Sequence, residues 1–187
     1  MIVGIYGALE HKEPTAVHID VNGLIYEVFI SLHTYSSINS DKVRLYTHYV
    51  IREDAQLLYG FGTRSEKTLF EGLIKINGIG PKVAMAICST YTPEQFASII
   101  SAKDVNALKK VPGIGPKSAA RIMVELAGFD AVLLGSSDGG SSASSEAIMA
   151  LESLGFKKEQ IIKALSDISA TDTATLVKEA LRKLQKL

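Results

Sequence analysis

The chain has one cysteine in 187 residues, no surplus of either charge, and no long apolar run. Each absence removes a class of protein. The lone Cys88 excludes an internal disulfide and fits a reducing cytoplasm. Its apolar helical neighbours Ala84, Ala86 and Ile87 make it buried filler rather than a nucleophile. The apolar runs are short and broken by charge, so no segment is expected to span a bilayer. The N-terminus starts straight into an apolar β-type pattern (Ile2, Val3, Ile5, Tyr6), so no secretory signal is expected. The string Gly-x-x-x-x-Gly-Lys-Ser/Thr does not occur, so the chain is expected not to hydrolyse ATP by itself. His11, His18, His33 and His48 show no ligand spacing, and the adjacent Glu53 and Asp54 have no second acidic cluster to join them. Metal-dependent cleavage needs several carboxylates converging on one or two ions. Neither a metal nor a cofactor is therefore expected.

What is present is ordinary in bulk: 47% hydrophobic and 21% charged. A net charge of zero argues against a nucleic-acid binder until the chain is divided. Residues 1–62 hold four basic and seven acidic groups, a balance of −3. Residues 63–130 hold nine basic and six acidic groups, a balance of +3. Residues 131–187 carry seven of each. Phosphate attraction depends on local patches more than on the sum.

The hydrophobic period changes along the chain. Ala16–Val21 and Leu24–Ile30 alternate, with Asn22-Gly23 between them as a hairpin signal. Val43–Val50 and Gln56–Phe61 flank a polar tip at Arg52-Glu53-Asp54. A five-stranded OB-type barrel over 1–62 fits this spacing. From Ser65 to Ala127 the period is helical: Leu69, Leu73 and Ile76 share one face, then Val83, Ala86 and Ile87 another. Thr92-Pro93-Glu94 reads as a capped helix start. The helical domain is set at 63–134. Residues 135–145 are almost all Gly and Ser and form the expected flexible linker. Residues 146–187 are expected to fold as a three-helix bundle, with Gly155 ending the first helix; Leu151, Leu154 and Ile162 are either core or contact surface, with core the expectation. The fold class is thus α+β and multidomain.

The informative motif is a repeat at an offset of 35 residues. Leu73 to Ala84 and Leu108 to Ala119 both contain Gly-Ile-Gly-Pro-Lys-x-Ala, entered from one helix and leaving into another. Gly78 and Gly80, with Gly113 and Gly115, permit a sharp turn and a backbone exposed to a ligand. Ile79 and Ile114 can point inward and tie the turn to its helices. Pro81 and Pro116 at a helix's first position need no N–H partner. The free N–H groups and positive helix end then form an anion site, with Lys82 and Lys117 beside it and Ser118 in the same turn. This is the helix-hairpin-helix way of holding a DNA phosphate without reading sequence. One glycine turn between helices is weak evidence for it; two matched copies in the one basic region are strong. Two hairpins on one duplex would contact its two strands across the minor groove. Lys109, Lys110 and Arg121 are supporting phosphate contacts or a solvated helix face. A dinucleotide fold is disfavoured, since both motifs follow helices.

The segment Thr47-His48-Tyr49-Val50-Ile51-Arg52-Glu53-Asp54-Ala55-Gln56-Leu57-Leu58-Tyr59-Gly60-Phe61 resembles a signature of the RuvA family. So do Thr68-Leu69-Phe70 before the first hairpin and Val111-Pro112-Gly113-Ile114-Gly115 at the second. The resemblance covers essentially the whole chain. It implies an OB-fold first domain, a tandem helix-hairpin-helix second domain and a mobile three-helix third domain. It also implies a homotetramer, able to pair into an octamer, that holds a Holliday junction open and nearly planar. The partners implied are the hexameric ATPase RuvB, engaged by 146–187, and the resolvase RuvC; ATP and Mg²⁺ belong to RuvB. Glu53 and Asp54 fall where the family places its acidic pin, whose carboxylates would repel the crossing phosphates and separate strands. Pro116 departs from the family pattern, which often has a second lysine there.

Two other readings compete. A structure-specific nuclease or glycosylase could use the same hairpins as its grip, and divalent-metal-dependent cutting of a junction would identify it. A protein-interaction adaptor would act through the C-terminal bundle, which resembles ubiquitin-associated (UBA) domains in size and in its Leu154-Gly155-Phe156 turn.

Overall fold

The computed structural model of the chain describes residues 1–126, 143–156, 158–165, 168 and 172–184. They fall into two compact units, Met1–Ser137 and Asp138–Leu187. In the first, the alternating segments become β1 (Gly4–Glu13), β2 (Ala16–Val21), β3 (Leu24–Ile30), β4 (Lys42–Ile51) and β5 (Gln56–Phe61). They close a barrel in the order β1-β2-β3-β5-β4, antiparallel except where β3 meets β5. That is the topology of an OB fold. The β2–β3 turn is built by Asn22 and Gly23, both at positive φ as a two-residue hairpin requires. Ile5, Val17, Ile19, Val28, Leu45 and Leu58 fill the barrel.

One element inside the barrel sequence escapes its period. A six-residue helix, α1 (Leu32–Ser37), follows β3, capped by the Ser31 hydroxyl accepting from the Thr34 N–H at 3.0 Å. Six residues are too few to display a 3.6-residue period, so only the capping serine announces it. The helix meets a buried carboxylate. Glu66 is 5% exposed and accepts hydrogen bonds from the Ser31 hydroxyl and, at 2.7 Å, from the Thr34 hydroxyl. Thr34 Oγ1 in turn accepts from the Gly62 N–H at 2.9 Å. The end of the barrel and the start of the helical region are thereby tied through one side chain.

The helical region comprises α2 (Arg64–Ile74), α3 (Pro81–Thr90), α4 (Pro93–Ser101), α5 (Val105–Lys109) and α6 (Pro116–Glu125). Thr92 caps α4 as expected and forms a full capping box with Gln95. The buried face of α3 is Ala84, Ile87 and Cys88, turned by about one residue from the expected Val83, Ala86, Ile87 stripe. Cys88 is fully buried, and burial pushes its thiol well up, with the Glu66 carboxylate adding to the effect. Leu69, Phe70, Leu73, Phe96, Leu108 and Ile122 form the helical core. Tyr59 and Phe61 of β5 join that core, with Phe61 and Tyr59 each stacked at an angle against Phe70. The barrel and the hairpin region therefore share side chains across the 62/63 division.

The second unit holds α7 (Ala143–Ser153), α8 (Lys158–Leu165) and α9 (Thr173–Leu184) around Leu151, Ile161, Ala164, Ala180 and Leu184. Gly155 ends α7 as expected: its N–H donates to Glu152 O and that of Phe156 to Leu151 O. Two sequence expectations need correction here. Leu154 and Ile162, assigned to the core, are 60% and 52% exposed. Leu154 falls where the helix stops, and Ile162 adjoins Ile161, so only one of that pair faces inward. The expected linker lies outside the described residues for 135–142, and its last three residues already belong to α7. Among the described residues, no helix is long and apolar enough to cross a membrane.

Candidate nucleic-acid interface

The two repeats fold into two closely matched hairpins. In the first, Ile76 N–H donates to Leu73 O and Ile79 N–H to Ile76 O; in the second, Val111 N–H donates to Leu108 O and Ile114 N–H to Val111 O. The four distances lie between 3.0 and 3.1 Å. Gly78 at φ +88° and Gly113 at φ +86° make the reversal, in a region where any other residue is strained. Ile79 and Ile114 are buried, 5% and 6% exposed, and anchor each loop to its own helices.

Gly80 and Gly115 serve a different purpose. Both are helix N-caps in extended conformation, with φ −88° and ψ 170° or 175°, and neither offers a side-chain cap. A Cβ at either would meet nothing within 4 Å. The position is open, and its openness keeps the helix end bare. Pro81 and Pro116 follow at N1, and the first intrahelical bonds are Ala84 N–H to Gly80 O and Ala119 N–H to Gly115 O. The backbone N–H groups of Lys82 and Val83, and of Lys117 and Ser118, precede those bonds. Each hairpin thus presents donors and a positive helix end to an incoming anion.

Lys82 and Lys117 stand exposed at these ends, as do Lys109 and Lys110 on the second hairpin's entry. Among the described residues, Lys82, Lys110 and Lys117 pair with no carboxylate, and Lys109 reaches only Asn106 Oδ1 at 3.5 Å. Arg121 has a structural duty besides any phosphate contact. Its Nη1 donates to Asn77 O at 2.6 Å, joining α6 to the first hairpin's turn. In the other direction Gly113 lies against Val83, where a Cβ would come within 3.4 Å of Cγ2. The hairpins are fastened to each other and act as one body.

One cation escaped the sequence reading although the repeat contained its signal. Lys75 is the counterpart of Lys110 at the 35-residue offset. Both are exposed helix C-caps of nearly equal geometry, with φ −76° and −73° and ψ −18° in each. Lys75→Gln and Lys110→Gln are each expected to make the fall of DNA affinity with salt shallower by about 1 log unit per log unit, as loss of one phosphate contact does. A salt titration of duplex binding checks both.

Glu53 and Asp54 sit exposed at the β4–β5 tip, closed by Arg52 N–H donating to Ala55 O at 2.8 Å. Neither carboxylate is ion-paired among the described residues. Nearby, burial pushes the Tyr59 hydroxyl up from its ordinary value and the Arg52 guanidinium draws it partly back.

Comparison with known proteins accounts for most of the chain. Residues 1–60 match the RuvA N terminal domain, residues 70–127 the SAM-like helix-hairpin-helix tandem, and residues 142–185 the RuvA C-terminal domain. A protein of Sulfurimonas denitrificans named Holliday junction branch migration complex subunit RuvA is 61% identical over the whole of both chains. The chain belongs to the RuvA family. Proteins of the same name from Nitratiruptor and Wolinella succinogenes are 59% and 55% identical, again over the full length of both chains.

Proposed function

We propose that the chain is the junction-binding subunit of a branch-migration complex, holding Holliday-junction DNA by its phosphates and leaving catalysis to a partner ATPase. The observation that carries this reading is the doubled hairpin: two bare helix ends, each with a free lysine, fastened as one body. Such a grip engages two points of one duplex and is indifferent to sequence. The relatives are named as subunits of a Holliday junction branch migration complex, in keeping with it.

In this reading the chain works as a homotetramer, able to pair into an octamer, in the cytoplasm, and itself uses no metal or cofactor. Glu53 and Asp54 of each copy form the pin. Their uncompensated charge would repel phosphates at the crossover and steer strands into the arms gripped by the hairpins. The second unit recruits RuvB. Its exposed Met149, Leu154 and Ile162 are apolar side chains of the kind that a protein partner covers. RuvC is the further partner, acting on the junction so held.

A gel-shift titration of a synthetic four-way junction against linear duplex of the same arm sequence tests the proposal, run with EDTA and then with Mg²⁺. Preference for the junction with no cleavage is the expected result. Equal affinity for linear duplex reduces the protein to a general duplex binder, and cutting in Mg²⁺ makes it a nuclease.

A further inference from the structure

Between the barrel and α3 lies a cavity of about 640 Å³ that the phosphate grips leave unexplained. Its walls are apolar: Phe29 and Leu57 of the barrel, Met85 and Ala86 of α3, and the ring of Tyr59. Phe29 and Tyr59 lie 5.8 Å apart, their rings tilted by 39°. The surroundings are those of the DNA-binding elements. Lys82 of the first hairpin and Gly113 of the second line the same cavity. Leu57 lies on β5, just beyond the tip that carries Glu53 and Asp54.

Tyr59 supplies a second, independent observation. The residue is only 8% exposed, yet its hydroxyl makes no hydrogen bond among the described residues. No buried side-chain nitrogen or oxygen is left without a partner there, so this hydroxyl keeps access to open space. A hydroxyl open to solvent on an otherwise buried ring that lines the cavity suits a ligand with an apolar body and a polar edge. A nucleobase has that composition, and aromatic walls with a hydrogen-bonding group are how proteins hold a base taken from its stack.

We propose that this cavity receives a single unstacked base of the strand held by the hairpins. Phe29 and Met85 lie against its faces, the Tyr59 hydroxyl meets its edge, and Lys82 at the rim holds an adjoining phosphate. The inference rests on the DNA-binding reading above. Exchange of pairing partners at a branch point requires a base to leave one partner before meeting the next. A cavity between the pin and the grips would shelter it during that interval.

The test uses the full chain and four-way junctions carrying one 2-aminopurine, placed in turn at each position flanking the crossover, with an arm position as control. 2-Aminopurine is dim in a stacked duplex and brightens when unstacked. Binding should raise its emission about threefold or more at a crossover-flanking position, shielded from acrylamide, and not in the arm. Ala86→Phe fills the cavity from α3, and Thr15→Phe fills it from the exposed β1–β2 turn, where folding is not at stake. Both should remove the rise while the shifted fraction of junction stays within about twofold of the unaltered protein. If Ala86→Phe does not fold, Thr15→Phe decides. Full junction binding with no rise at any position overturns the inference and spares the DNA-binding reading. A rise that the folded variants leave intact also overturns it, since the base then sits elsewhere and the cavity has another occupant. Absence of any junction binding overturns the reading on which it rests.

Discussion

Gly80→Asp combined with Gly115→Asp should abolish junction binding at ordinary salt while leaving the melting temperature unchanged or slightly higher. Both glycines are N-caps in extended conformation with empty space where a side chain would go, so aspartate fits without strain. Aspartate is also a favoured cap, and its carboxylate accepts the N–H groups that glycine leaves bare, for a gain of a few tenths of a kcal/mol each. Those same N–H groups are the proposed phosphate ligands. The substitution therefore occupies the donors and places a negative charge where an anion must sit. Each grip should lose about 1–2 kcal/mol, roughly five- to thirtyfold in affinity, and the pair acts on every copy in an oligomer. Gel shift measures the binding and thermal melting the fold. Retained binding in the folded double variant would remove the hairpins from the interface.

The second large effect is on stability. Glu66→Ala should cost about 3 kcal/mol and lower the melting temperature by roughly 10 °C. The loss comes less from the carboxylate than from what it leaves behind. The hydroxyls of Ser31 and Thr34 both donate to Glu66, and Ser31 and Thr34 are 0% and 1% exposed. Without the acceptor they remain buried and unpaired, in a site that also carries the cap of α1 and the Gly62 N–H. Glu66→Gln keeps one acceptor oxygen and should cost less than half as much. Denaturant unfolding of the two variants reads the difference, and equal losses would show that the carboxylate's charge, not its hydrogen bonds, matters.

Much of the architecture was legible because its signals are local. The β2 and β3 strands have the bounds their alternation marks, and Asn22-Gly23 makes the turn between them. Both hairpins adopt one geometry because the same seven-residue pattern demands it twice. Where the signal was short or ambiguous, the reading failed. The α1 helix has too few residues to show a period. Ile161 and Ile162 are equally apolar, and nothing local says which one faces inward. The same repeat that marks the grips also holds Lys75, but its sequence neighbours are those of an ordinary helix end and carry no signal of their own.

By itself, then, the sequence determined the repeat, the bare capped turns, the clustering of positive charge and the acidic tip. These are properties of neighbouring residues, set by backbone preference and side-chain type. Only the tertiary structure decided what those parts are to one another. Arg121 became a strut between hairpins because Asn77, 44 residues away, brings its carbonyl to 2.6 Å. Glu66 became the tie between barrel and helices because Ser31 and Thr34 close over it from more than thirty residues upstream. Tyr59 came to line a cavity while packing in the helical core because β5 is shared by two cores. Such roles depend on which distant groups are excluded from water together, and that is settled only when the chain closes on itself.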